Sequence, residues 1–157
     1  IVNYESKQLQ LIIGTGNPQI RKLLFDKTKH LKANYKNIVS ETSLIALNEV
    51  KLGWGLNIMH QVYISNSVSI GNGTLINRSV GIHHDVIVGE FCEIGPASNV
   101  LGKVILGDQV FIGAGVTILP EIRICSNTVI GAGSVVTKHI DEPGTYLGAP
   151  ARLRANI

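Results

Sequence analysis

From Leu52 onward, every sixth residue is aliphatic: Leu52, Ile58, Ile64, Ile70, Ile76, Ile82, Val88, Ile94, Val100, Leu106, Ile112, Ile118, Ile124, Ile130 and Val136. At 45% apolar content, fifteen unbroken hits have a chance on the order of one in 10⁵. A second series sits two places earlier, from Val50 and Leu56 to Ser134, and holds only Val, Leu, Ile, Thr, Ser and Cys. The charged residues between the ends, Arg78, Asp85, Glu90, Glu93, Lys103, Asp108, Glu121 and Arg123, avoid both series. A six-residue repeat is too short for a helical unit and fits a short strand plus a corner, with one large side chain inward per strand. Glycines follow the aliphatic position at Gly71, Gly89, Gly95, Gly107, Gly113 and Gly131, where corners need open backbone angles or close approach. The pattern predicts a mainly β solenoid. If three edges close one coil, the series winds about five coils, spaced ~4.8 Å apart.

The pattern changes at both ends. Leu9 to Ile13 reads as a strand, Gly14-Thr15-Gly16 as a tight turn, and Asn17-Pro18 as a helix cap and first turn. The helix should run to about Lys32, with Ile20, Leu23, Leu24 and Leu31 as its apolar face. One βα unit is too small to bury a core, so it reads as part of an α/β, Rossmann-like nucleotide-binding domain. Gly-Thr-Gly serves a tight turn more often than a phosphate cradle. The expected organisation is a partial α/β segment over 1–36, a β-helix over 37–141 and a tail over 142–157, where Pro143 and Pro150 stop the winding.

Composition narrows the classes. No run reaches the ~18 apolar residues of a membrane span, and no secretory signal opens the sequence. Lysines and arginines are dispersed, aromatics are 5%, and the net charge is +3, which argues against a nucleic-acid partner but suits a small polyanion. Cys92 and Cys125 provide neither a disulfide framework nor zinc spacing. A cytoplasmic, reducing setting is expected.

An 18-residue coil stacks residues 18 apart. Asn66, His84, Gly102 and Pro120 form one column, which sets an imidazole beside a glycine amide one coil along. A base and an amide so placed suit acyl transfer; a solvated face residue satisfies the same spacing. Gly95-Pro96-Ala97, Gly113-Ala114-Gly115 and Gly131-Ala132-Gly133 form a second column, of small residues, open to a thin ligand arm or simply to corner geometry. Asp85, Lys103 and Glu121 form a third, where an ion ladder between Lys103 and Glu121 would contribute about 0.2–1 kcal/mol. Asp85 also adjoins His84.

Ile76-Asn77, His83-His84-Asp85-Val86-Ile87-Val88-Gly89-Glu90-Phe91, Leu101-Gly102-Lys103-Val104 and the closing Gly148-Ala149-Pro150-Ala151 together resemble the sugar O-acyltransferase family of NeuD/PglD type, bacterial sialic-acid O-acetyltransferases and amino-sugar N-acetyltransferases. The resemblance implies a left-handed parallel β-helix and a homotrimer that binds acetyl-CoA between prisms. It implies catalysis by His84 as general base tuned by Asp85, with the Gly102 amide on the acetyl carbonyl. Ala114 and Ala132 would line the coenzyme, and Asn77 and His83 would meet a sugar or nucleotide-sugar acceptor. No metal is implied. Glu93 stands where the family often has a coenzyme-contacting histidine, nine residues after the catalytic one; Val86 replaces a frequent cysteine; and the glycine-rich first turn of the nucleotide-sugar domain is not in this sequence.

Three other readings stay in view. A hexapeptide carbonic anhydrase needs three metal-binding histidines, and the five here (His30, His60, His83, His84, His139) show no such spacing. A single-domain O-acetyltransferase for another small acceptor shares the repeat but leaves the βα unit unexplained. A non-catalytic assembly subunit would show neither acyl-CoA binding nor dependence on His84. Acyl-cysteine catalysis is disfavoured, because Cys92 falls in an inward series and Cys125 at a corner.

Overall fold

The structure is a computed structural model that describes residues 9–154. Its body is a parallel β-helix of about six coils, each built from three two-residue strands. The strands form three faces. The first runs from Ile38–Val39 to Thr145–Leu147 and ends on Arg152–Leu153. The second runs from Leu44–Ile45 to Val135–Val136, and the third from Lys51–Leu52 to Arg123–Ile124. In the strands from Asn57–Ile58 to Val135–Val136 the second residue points inward, so Ile58, Ile64, Ile76, Ile82, Ile94 and Ile112 are at most 1% exposed. Burying one such side chain contributes ~1.5–3 kcal/mol. The second series is also inside: Val62, Val86, Cys92 and Val110 are buried, and the polar members are satisfied. Ser98, for example, donates to the Gly113 carbonyl at 2.9 Å and accepts from the Val116 amide at 3.2 Å.

The regular sequence repeat starts one coil later than the winding. Lys51 pairs with Ser69, eighteen positions on, but Ile38 pairs with Asn57 and Leu44 with Tyr63, nineteen positions on. One extra residue in the corner after Ile45 shifts the register, so the inward residues there are Val39 and Ile45 rather than members of the six-step series. At the other end, Ile124 bridges Ile140 only sixteen positions on, and Thr145–Leu147 still adds a strand to the first face.

The glycines after the inward residue are explained by proximity. A Cβ on Gly89 would lie 2.5 Å from the Gly107 carbonyl carbon, and one on Gly71 would lie 2.6 Å from that of Gly89. Left-handed backbone falls at a different corner position, where Asp85 (φ 60°), Lys103 (φ 61°) and Glu121 (φ 63°) occur. Each non-glycine there costs about 1–2 kcal/mol, offset by coil-to-coil bonds such as Lys103 N–H to His84 O at 2.9 Å.

The N-terminal unit lies against the first face. The strand Gln10–Leu11 pairs in parallel with Asn34–Tyr35, and helix α1 spans Pro18–Thr28 before a 3₁₀ turn over Lys29–Leu31. Asn17 caps it as expected, accepting from the Ile20 amide at 2.9 Å. The expected apolar face is a correction: Ile20, Leu23, Leu24 and Leu31 are all at least 39% exposed. The face turned to the solenoid carries Arg21 and Phe25 instead. Phe25 stacks with Tyr35, Trp54 and Phe91 at centroid distances of 5.1, 4.7 and 5.5 Å. These long-range partners outweigh the helix's own amphipathic pattern.

Candidate functional site

The corner between the second and third faces carries the histidine column. His84 lies two residues past inward Ile82, and Gly102 stands at the same offset from Val100, to which Ile82 is paired. The stacking is direct: Asp85 N–H donates to Asn66 O, Lys103 N–H to His84 O and Glu121 N–H to Gly102 O. A Cβ on Gly102 would fall 2.6 Å from both Cε1 and Nε2 of His84, so the ring lies directly over Gly102 and keeps that place only while position 102 has no side chain. Gly102 is buried beneath it, and its N–H donates to no acceptor among the described residues. Asp85, turned back by its left-handed backbone, places Oδ2 at 2.8 Å from His84 Nδ1. With Asp85 ionised, Nδ1 carries the proton and Nε2 keeps a free lone pair. The His84 side chain is 60% exposed, so a partner molecule can reach it.

His83 goes elsewhere. Its ring lies over the outer surface of the second face, edge-on to Tyr63 at a centroid distance of 6.4 Å. The third column behaves as a ladder: Lys103 Nζ is 3.3 Å from Glu121 Oε1, while Asp85 is taken up by His84. Ala114 and Ala132 occupy the other corner, between the first and second faces, and both are exposed. Gly115 N–H donates to Pro96 O and Gly133 N–H to Ala114 O, so these residues do stack as an axial strip.

Asn77 and Glu93 belong to a different place within the chain. They line a cavity of about 260 Å³ between the first face and the N-terminal turn, with Gly14, Thr15, Gly16 and Arg21. Asn77 Nδ2 lies 3.5 Å from Glu93 Oε1, and the Glu93 carboxylate packs against Gly16. Burial raises the Glu93 carboxyl above the usual glutamate range, with Arg21 and Asn77 opposing that rise. Arg21 was not a sequence candidate. It is 2% exposed, donates to the carbonyls of Thr15 (2.5 Å), Gly16 (2.9 Å) and Cys92 (2.7 Å), and keeps its Nε without a partner. The Gly-Thr-Gly turn thus offers carbonyls to a guanidinium. No local signal marks Arg21, because its decisive acceptor is 71 residues away.

Cys92 is fully buried, its thiol pushed up to about 12 by burial, and it sits 3.1 Å from Gly107 O. A thiol so held stays protonated and is no nucleophile. Among the described residues, no three His, Cys, Asp or Glu side chains group to hold a metal, and no helix is long and apolar enough to cross a membrane.

Comparison with known proteins adds to this geometry. Residues 103–138 match the family described as bacterial transferase hexapeptide (six repeats). No curated protein sequence matches the chain. Among solved structures, the chain is similar to PerB from Caulobacter crescentus in complex with CoA and GDP-perosamine, with a TM-score of 0.91 and 28% identity over 94% of this chain and 70% of that one. A variant of the perosamine N-acetyltransferase of the same organism, again with CoA and GDP-perosamine, matches with TM-score 0.90 at 27% identity, with the same coverage of both chains. WeeI from Acinetobacter baumannii shares the fold, with TM-score 0.90 at 23% identity over 97% of this chain and 74% of its own.

Proposed function

We propose that this chain is an acetyl-CoA-dependent acetyltransferase that acylates an amino or hydroxyl group of a sugar, carried on a nucleotide, for bacterial glycan synthesis. The observation that carries the reading is the His84 imidazole laid over the Gly102 backbone, with Asp85 on its far nitrogen. The similarity to structures holding CoA and GDP-perosamine supplies the two substrate classes.

The chemistry follows from the donors and acceptors at the corner. The acceptor's nitrogen or oxygen attacks the thioester carbonyl, and His84 Nε2 takes the proton it loses. Asp85 holds the imidazole in the competent tautomer and stabilises the imidazolium that forms. The Gly102 N–H donates to the carbonyl oxygen as it gains charge. Collapse of the tetrahedral intermediate breaks the carbon–sulfur bond, and the proton on His84 goes to the leaving thiolate. The products are the acetylated sugar and free CoA.

Assembly completes the site in this reading. Ile87 and Ile105, adjacent on the outer surface of the third face, are 48% and 40% exposed, a paired apolar patch suited to a second copy of the chain. A homotrimer of parallel prisms would set the His84 corner of one copy against its neighbour and form a groove for the coenzyme, with Ala114 and Ala132 along it. The acceptor would reach the groove past His83 and from the cavity lined by Asn77 and Glu93. The expected setting is the cytoplasm, where acetyl-CoA is made.

The test is acetyl transfer from acetyl-CoA to a panel of nucleotide-linked amino and hydroxy sugars, with sedimentation of the same preparation. Turnover by a trimer is expected. A stable monomer at micromolar concentration removes the intersubunit groove, and absence of acetyl-CoA binding favours an assembly subunit.

A further inference from the structure

Among the described residues, Gly81 is the one glycine that stands inside a strand, and nothing in the fold calls for it. It pairs in register with Tyr63 on one side and Asn99 on the other, so the strand has no bulge there. Its φ lies outside the left-handed region. The close backbone approach that explains Gly71 and Gly89 is missing as well. A Cβ on Gly81 would meet only the tips of two side chains, Asn99 Oδ1 at 3.0 Å and His83 Nε2 at 3.7 Å. Glycine weakens a strand, and where neither a bulge nor a bend requires it, it marks a place that something outside the strand approaches closely.

The surroundings of this gap define what fits it. Gly81 is the outward residue of its strand, since Ile82 is buried. The strands of Tyr63 and Asn99 on either side are two strand spacings apart, about 9–10 Å, and no side chain fills the space between them. The Tyr63 ring, 46% exposed, forms one wall, and the exposed Asn99 side chain forms the other. The His83 ring stands at the edge of the gap, edge-on to Tyr63. An aromatic face beside an amide and an imidazole is the chemistry that holds a pyranose. Its axial C–H groups rest on the ring, and its hydroxyls exchange hydrogen bonds with the polar pair. His83 and His84 are consecutive, with Cα atoms about 3.8 Å apart, so a sugar in the gap lies beside the corner that carries the base. Building on the acetyltransferase reading above, we infer that the gap at Gly81 seats the sugar ring of the acceptor, with Tyr63 stacked on it and Asn99 and His83 bonded to its hydroxyls.

The experiment uses the full chain, acetyl-CoA and the panel of nucleotide-linked amino and hydroxy sugars. It reads KM and kcat for each sugar that is acetylated, affinity for acetyl-CoA, melting temperature and sedimentation. Gly81→Val is the decisive variant, because valine suits a strand and the Asn99 tip that it meets can swing into solvent. It should raise the melting temperature by about 1–3 °C and raise KM for the sugar about tenfold or more, with acetyl-CoA affinity unchanged. Tyr63→Ala should raise the same KM about five- to tenfold, and Tyr63→Phe should restore most of the loss. Asn99→Ala should raise it about threefold. Unchanged KM in Gly81→Val and Tyr63→Ala overturns the inference and leaves the acetyltransferase reading standing. A lower melting temperature in Gly81→Val would make Gly81 a structural glycine, and altered sedimentation would assign the gap to a neighbouring copy; either result overturns the inference too. Failure of the wild type to bind acetyl-CoA and to acetylate any sugar of the panel removes the acetyltransferase reading itself, and the inference with it.

Discussion

The solenoid corner at His84 and the junction at Arg21 each carry polar side chains in a crowded setting, but they are built on opposite principles. At the corner, every position is a copy of one eighteen residues away, and the proposed chemistry rests on the one copy that differs: a glycine where others carry a side chain, a histidine laid over it. His84 and Asp85 there are exposed, and the backbone beneath them is held by coil-to-coil bonds that do not depend on their side chains. At the junction, nothing repeats. Arg21, Glu93 and the ring cluster around Phe25 are each single, and the docking of the N-terminal unit rests on them. A repeat frees its exposed positions for function, whereas a unique contact commits its residues to structure.

That contrast predicts effects on rate without effects on stability at the corner, and the reverse at the junction. The largest effect is expected from His84→Ala. Loss of a positioned base costs ~10²–10⁴-fold in turnover, with sedimentation and acetyl-CoA affinity unchanged; His83→Ala should cost far less. Near-normal turnover in His84→Ala together with loss in His83→Ala would move the site by one residue. Gly102→Ala comes next. Its methyl would meet the exposed His84 ring at 2.6 Å, so the ring must swing away, and turnover should fall by about 10–10²-fold with little change in melting temperature. A large drop in melting temperature instead would make Gly102 a structural glycine like Gly89. Ala132→Trp tests the small-residue strip: at an exposed corner the indole should be tolerated, and acetyl-CoA affinity should fall by about tenfold or more. Unchanged affinity would reduce the strip to corner geometry.

At the junction, Arg21→Met keeps the stem and removes three charge-assisted bonds, at a cost of about 2–4 kcal/mol in docking. Hydrogen exchange over residues 9–35 should accelerate, while the amides of the solenoid keep their protection. Loss of protection throughout would mean that the solenoid leans on the unit. The smallest effect belongs to Glu93→Gln. Because burial raises the Glu93 carboxyl, the folded chain favours its protonated form. The associated stability is complete below the ordinary glutamate range and is lost as pH rises through the raised value. Glutamine keeps a neutral group at every pH, so the variant should be more stable at neutral pH by less than about 1 kcal/mol, with the difference fading in acid. A melting difference that grows toward acid would reverse the assignment.

The solenoid and the His84 column were legible because both follow from a fixed period. Once one inward residue is placed, the side of every residue up to Val136 is set, and so is the stacking of His84 on Gly102. The first coil was hidden for the same reason, since the extra residue after Ile45 breaks the count that made the rest readable. The helix shows the limit of local pattern. Its leucines predicted the buried face, but Arg21 and Phe25 took that place through partners far away in sequence. Asn77 and Glu93 were chosen for their spacing from His84; in the folded chain they meet each other and the N-terminal turn, on a face that the spacing did not specify.

The sequence by itself determined what depends on neighbours along the chain or on a constant repeat: the strands, the inward series, the glycine positions, the helix cap at Asn17 and the column containing His84. Only the tertiary structure decided where the N-terminal unit rests, that a buried guanidinium fastens it through the Cys92 carbonyl, and that Asp85 leaves its ladder to hold the imidazole. The physical reason is the range of the interaction. Periodic burial is written into every hexad and repeated until it is unmistakable, whereas a single hydrogen bond across 71 residues leaves no trace in either segment until the chain brings them together.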